Sequence, residues 1–268
     1  MAAAPIGVFD SGAGGLSILK GIHQLLPGEQ LLYVADSAHA PYGPRGEDFI
    51  RSRCQTIMGF FLERGVKAVV VACNTATAAA IGELRARYTL PIIGVEPAVK
   101  PAALASRSGV VGVLATSGTI ASARFLQLKS RFHDQVEIIT SPCAGLVEAI
   151  ESSATDATRL QALLESIVRP MREKRADTLV LGCTHYSLIR DVVAAVAGPG
   201  VAIVDAGDAV ARELQRRLAV GALLQAETSA EPGKVRFFTS GDLDTQRLLL
   251  AKYWGQTPDL TSLPEQLS

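Results

Sequence analysis

The sequence predicts an α/β protein made of two pseudo-symmetric, doubly wound α/β domains that face each other across a central cleft. Three observations carry that expectation. Short Val- and Ile-rich runs alternate with segments of helical composition, the pattern of parallel strands covered on both faces. Several of these runs end in a carboxylate, a hydroxyl or a thiol rather than in a plain turn. The runs of the first part also recur in the same order, at nearly constant separation, in the second.

Taken along the chain, the first run lies in IGVFDSGAGG, Ile6 to Gly15, and ends in Asp10 and Ser11 before a Gly-rich turn. That turn lacks both the full GxGxxG spacing and the Lys-Ser/Thr of a phosphate-binding loop, so it predicts no nucleotide site. LLYVADS, from Leu31, is the second strand, and PYG, Pro41 to Gly43, reads locally as a turn. A helix over Glu47 to Arg64 follows, with Cys54 as a packing residue. The third strand is the apolar run Ala68 to Ala72, which leads straight into Cys73, Asn74 and Thr75 and then into an Ala-rich helix, Ala76 to Tyr88. Cys73 thus falls at the carboxyl end of a parallel strand, the edge at which open α/β sheets bind ligands, beside the unpaired N–H groups that open a helix. Asn74 and Thr75 are good capping types there. PIIGVEPA, Pro91 to Ala98, is the fourth strand.

The second set begins with VGVLATSGTI, Val111 to Ile120, which places Ala115 and Thr116 opposite Asp10 and Ser11. VEIITSP places Ser141 opposite Asp36. The run Leu179 to Leu181 and Gly182 lead into Cys183, Thr184 and His185, matching the first cysteine segment. VAIVDAGD places Asp205 opposite Glu96. These correspondences divide the chain into a first domain, residues 1–98 plus 206–268, carrying Asp10 and Cys73, and a second, residues 99–205, carrying Cys183 and His185. The remainder reads as a helix from Asp208 to Leu218, a loop containing Gly, Ala, Glu and Pro, a strand KVRFFTS and a helix from Asp242 to Tyr253, all packed back on the first domain.

Composition narrows the function. The 268 residues hold 48% hydrophobic and 19% charged residues, ordinary for a globular protein with a sizeable core. The 26 basic and 26 acidic residues balance without blocks of like charge, so no nucleic-acid or membrane partner is indicated. Arg51 to Arg53 and Arg172 to Arg175 read as solvated helix faces. The chain enters a strand almost at once and has no basic, then apolar, leader and no apolar run long enough to cross a bilayer, which predicts a cytoplasmic protein. Its four cysteines, at 54, 73, 143 and 183, show neither CxxC spacing nor a local set of His partners, so no metal and no disulfide framework is expected.

Two thiols on matching halves suit one chemistry in particular. If the halves close face to face, a planar carbanion held between the cysteines is protonated from either side, which is what a two-base racemase or epimerase requires. A sulfur near a helix N-terminus or a suitable partner ionises more readily, and Asp10 and His185 are candidate partners.

The combination of DSGxGGLS (Asp10 to Ser17), PYG (Pro41 to Gly43), ACNTA (Ala72 to Ala76) and LGCTHY (Leu181 to Tyr186) resembles the bacterial glutamate racemases, from the first strand to about Leu218. The resemblance implies cofactor-independent interconversion of L- and D-glutamate for peptidoglycan synthesis, and a homodimer. It makes Cys73 and Cys183 the acid/base thiols and Asp10 and His185 their assisting groups. It gives Ser11, Tyr42, Gly43, Asn74, Thr75 and Thr184 to substrate binding, with His185 and Asp10 also at the substrate and Thr116 and Thr119 as further candidates. A glutamate of the family's LVE segment assists the second cysteine; here Glu148 matches, with Glu151 one helical turn on. Some members of the family bind DNA gyrase, but the neutral charge and the intact thiol pair argue against binding as the sole role here.

Overall fold

The computed structural model describes residues 4–152, 156–225 and 232–267; part of the Gly-, Ala-, Glu- and Pro-containing loop lies outside them. The strands among the described residues are β1 Ile6–Asp10, β2 Leu31–Ala35, β3 Ala68–Val71, β4 Ile92–Gly94, β5 Val110–Ala115, β6 Glu137–Pro142, β7 Thr178–Leu181, β8 Ala202–Val204, β9 Val235–Thr239 and β10 Leu260–Ser262. They form two wholly parallel sheets, ordered β10-β9-β2-β1-β3-β4 and β6-β5-β7-β8. Within the first, the segment β2-β1-β3-β4 has the same order as the whole second sheet. The repeat seen in the sequence is therefore a repeat of topology.

The continuous apolar runs have a direct cause. Side chains alternate across a strand, so a sheet covered on both faces needs apolar residues at every position. Ile6, Val8, Tyr33, Ala68 and Val70 share one core with Leu16, Leu19 and Ile22 of the helix Leu16–Leu25 and with Leu214 and Leu218 of the helix Gly207–Val220. Phe9, Leu32, Val34, Val69 and Val71 face the other way, onto Ile57 and Phe61 of the helix Glu47–Glu63 and Ile81 and Leu84 of the helix Asn74–Arg87. The second sheet is enclosed likewise, with Leu164, Val168 and Met171 of the helix Ala157–Glu173 on one side and Val99 and Ala102 on the other. Pairing of β9 with β2 returns the last quarter of the chain to the first sheet.

Two details differ from expectation. The helix after β3 starts at Asn74 rather than Ala76, because Cys73 itself is the cap. Arg53 is no solvated residue: its side chain is only 11% exposed and is paired with the fully buried Asp36. Arg51, by contrast, is 41% exposed and pairs with Glu47 one turn away. β10 had no legible signal, being three residues long with two of them exposed. Among the described residues no helix is long and apolar enough to cross a membrane.

Candidate active site

β1 and β3 deliver Asp10 and Cys73 to the carboxyl edge of the first sheet, and β7 delivers Cys183 to that of the second. Each cysteine occupies the N-cap position of the helix that follows its strand, Asn74–Arg87 and Thr184–Ser187, and the Cys73 side chain makes the cap bond there. Both are buried and neither is in a disulfide. The Cys73 sulfur accepts the Ala76 N–H at 3.5 Å and donates to Ser11 Oγ at 3.8 Å. Burial, then the charge of Asp10, pushes its pKa up to about 12, and Cys183 adds to that rise. At neutral pH Cys73 is therefore held as the thiol.

Asp10 joins the halves. Its Oδ1 accepts from Gly12 N at 2.9 Å and from Ser11 Oγ at 3.2 Å, while its Oδ2 accepts from Thr184 Oγ1 of the second half at 2.7 Å. Burial raises its pKa; His185, Thr184 and Gly12 work against that rise without cancelling it. His185 Nδ1 lies 3.9 Å from the Cys183 sulfur, and its Nε2 contacts Glu151 Oε1 at 2.7 Å. Burial alone would disfavour the imidazolium, but Cys183, Glu151 and Asp10 outweigh it and hold the His185 pKa well above its ordinary value. Burial of Glu151 is outweighed in the same way by His185 and by the Ala13 N–H, which donates to Oε1 at 2.9 Å, so its pKa falls.

The Gly-rich turn now has a reason. A Cβ on Gly12 would collide with Glu151 Oε1, and one on Gly14 with the ring and backbone nitrogen of His185. The glycines let the first half's loop lie directly against the His185–Glu151 pair of the second half. Ser17 adds a hydrogen bond to Thr184 O at 3.3 Å. A second crossing point is a hydroxyl cluster in which Thr75 Oγ1 lies 2.9 Å from Thr116 Oγ1 and 3.3 Å from Thr119 Oγ1. Gly43 is packed against it, since a Cβ there would sit 3.0 Å from Thr116 Cβ.

Cys73, Cys183, Asp10, Ser11, Thr184 and His185 are therefore joined in one contact network, and Thr75, Thr116, Thr119 and Gly43 in a second that Thr75 places next to Cys73. Asn74 is 5% exposed and its side-chain Nδ2 has no hydrogen-bond partner among the described residues, so a donor is left free at the site. Tyr42 departs from a simple reading: its phenol is buried and donates to Asp36, so only its backbone is left for a ligand. Glu148 departs further. It is exposed, and it is Glu151, three residues on and 18% exposed, that reaches His185. The helix Leu146–Glu151 sets Leu146, Val147 and Ile150 into the core, which leaves Glu148 outside and turns Glu151 toward the ring. Spacing alone did not separate the two. The roles of Ser17 and the Ala13 N–H had no signal beyond the GxGGLS pattern itself.

Residues 6–214 match the Asp/Glu/Hydantoin racemase family. The chain is 53% identical over 260 residues to a glutamate racemase of Pseudomonas putida, covering 97% of each chain. Among solved structures it is similar to Escherichia coli glutamate racemase in complex with L-glutamate and the activator UDP-MurNAc-ala, with TM-score 0.83, 32% identity and 97% coverage of each chain. It is also similar to glutamate racemase from Francisella tularensis in complex with D-glutamate, with TM-score 0.84, 27% identity and 98% coverage of each chain.

Proposed function

The chain belongs to the Asp/Glu/Hydantoin racemase family, and from that premise we propose that it interconverts L- and D-glutamate with two opposed thiols. The observation that carries the mechanism is the placement of Cys73 and Cys183 at equivalent strand ends of two matching sheets, linked through Ser11, Asp10 and Thr184. In the L-to-D direction Cys183, as thiolate, takes the Cα proton. The electron pair left on Cα delocalises into the α-carboxylate, and the Cys73 thiol gives its proton to the opposite face. The cycle ends with Cys73 as thiolate and Cys183 as thiol, the form that works on D-glutamate. His185, kept protonated by Glu151, stands beside the Cys183 sulfur as its assisting group, and Asp10 stands beside Cys73 through Ser11. Ser11, Asn74, Thr75, Thr184, Gly43 and the Thr116–Thr119 turn hold the carboxylates and ammonium of the substrate.

Neither proton transfer calls for pyridoxal phosphate or a metal. Residues 1–98 plus 206–268 and residues 99–205 are the two bodies that close on the substrate. The reaction belongs in the cytoplasm, whose reducing poise keeps both thiols free, and its D-glutamate supplies peptidoglycan synthesis. We take the working form to be a homodimer. The test is to incubate purified protein with either enantiomer, without added cofactor, and follow optical activity. Loss of activity on hydroxylamine treatment with recovery on adding pyridoxal phosphate would overturn the reading, as would no racemisation at all.

A further inference from the structure

The Tyr42–Gly43 segment lies between a short 3-10 turn, Ser37–His39, and the helix Glu47–Glu63, so regular structure does not fix it. Its side-chain hydrogen bond to the body of the first half is made by the Tyr42 phenol, whose ring is packed in the core and whose hydroxyl donates to Asp36 Oδ2 at 2.5 Å. Asp36 is fully buried at the end of β2, yet saturated with donors. Arg53 meets it with both arms of the guanidinium, Nε to Oδ2 at 2.9 Å and Nη2 to Oδ1 at 2.8 Å. Ser240 Oγ donates to Oδ1 at 2.8 Å, and His39 Nδ1 lies 3.0 Å from the same oxygen. Arg53 Nη2 also donates to Leu267 O at 2.7 Å, tying the C-terminal turn to the same point.

A two-armed, charge-assisted pair in a buried place fixes direction as well as distance. Here it fixes a loop whose other end has almost no tolerance. Gly43 abuts Thr116, and a Cβ on Gly118 would come 2.8 Å from Gly43 O. Any displacement of Tyr42 is therefore passed to the Thr75–Thr116–Thr119 cluster across the interface. We propose that Asp36 and Arg53 are positioning residues for the substrate, acting through Tyr42 to set Gly43 against the threonine cluster. The inference rests on glutamate being the ligand of that site, and it assigns a binding task to an arginine that the sequence presents as part of a solvated face.

The experiment compares Asp36→Asn, Arg53→Ala and Tyr42→Phe with the wild-type full chain. Racemisation kinetics are measured, together with the rate at which iodoacetamide inactivates the protein at increasing glutamate. Asp36→Asn and Tyr42→Phe should raise KM for both enantiomers about tenfold with kcat within about twofold, the signature of lost binding rather than lost chemistry. The glutamate concentration that half-protects the thiols should rise by the same factor, while alkylation without glutamate stays unchanged. Added guanidinium should restore much of the KM in Arg53→Ala, because it can refill the space left beside both Asp36 oxygens, and should not help Asp36→Asn. Unchanged KM, a fall in kcat alone, or equal losses in every parameter that follow the folded fraction would overturn the proposal. If Asp36→Asn does not fold, Tyr42→Phe, which removes one hydroxyl and keeps the ring, decides by the same criteria. Protection reports binding even where no turnover occurs. A wild type that is protected but does not racemise would thus sink the catalytic reading, and equal protection of wild type and variants would sink this one.

Discussion

The two cysteines differ in their neighbours, and the difference has consequences at the level of single residues. Cys73 is surrounded by hydroxyl and carboxyl groups, Ser11 and Asp10, whereas Cys183 faces an imidazole backed by a carboxylate. If Cys183 is the base for L-glutamate, a Cys73→Ala protein should exchange the Cα hydrogen of L-glutamate with D₂O slowly and without inversion, leaving D-glutamate unlabelled. Cys183→Ala should show the reverse preference. Proton NMR of Cα with chiral analysis of the same sample checks this, and racemisation by either single mutant would mean that one base suffices. The Glu151–His185 pair gives a pH prediction. Cys183, Glu151 and Asp10 hold the His185 pKa up against burial, so its charged form contributes stability below its ordinary value, about 6.5, that is lost only as pH rises through the higher folded-state value. Replacing Glu151 by Gln removes a negative neighbour and lowers that value. The alkaline limb of the rate on L-glutamate should then move to lower pH, with kcat down about tenfold, whereas Glu148→Gln, on the exposed side of the same helix, should leave the pH–rate profile in place.

At the scale of elements, the site is made by strand ends and a helix start in each half, with a glycine turn supplied by the first half. The thiols and their positions at the helix starts were legible because two matching apolar runs stop at Cys-Asn-Thr and Cys-Thr-His at equivalent places of the repeat. The closeness of the glycine turn to the second half was not legible, since it depends on atoms far away in sequence: Gly14 is small because of His185, not because of its own backbone. Arg53 was hidden for the same reason, its partner Asp36 lying on another element. Gly14→Ala is accordingly expected to press the loop away from His185 and lower kcat on both enantiomers about a hundredfold, since small misplacements of acid/base groups are costly. Gly46→Ala, where an added methyl meets nothing within 4 Å, serves as the control at another helix start. Circular dichroism and kinetics on both variants read the result, and similar kinetics for the pair would show that the close approach is dispensable.

For the whole molecule, the duplicated strand order β2-β1-β3-β4 and β6-β5-β7-β8 was foreshadowed by the order of polar strand ends, because parallel sheets bury both faces and so display their chemistry only at the carboxyl edge. How the halves meet was not foreshadowed by any run of residues. Four of the polar contacts between them lie at the site, Asp10 with Thr184, Ala13 with Glu151, Ser17 with Thr184 O, and Thr75 with Thr116, beside others such as Tyr253 with Ile150 O and Arg124 with Glu96. A substrate held by both sides should therefore couple their unfolding. At about a hundred times its Kd, a ligand that binds only the folded protein stabilises it by about 2.7 kcal/mol, which for a chain of this size corresponds to a rise in Tm of roughly 5–10 °C. Calorimetry with increasing glutamate should show one transition moving upward as a unit. Thr184→Val, which deprives the buried Asp10 carboxylate of its partner across the interface, should lower Tm in the absence of ligand by an amount equivalent to about 1–3 kcal/mol. If glutamate instead raised only one of two resolved transitions, its binding energy would lie within a single half, and two thiols acting from opposite sides would no longer explain the architecture.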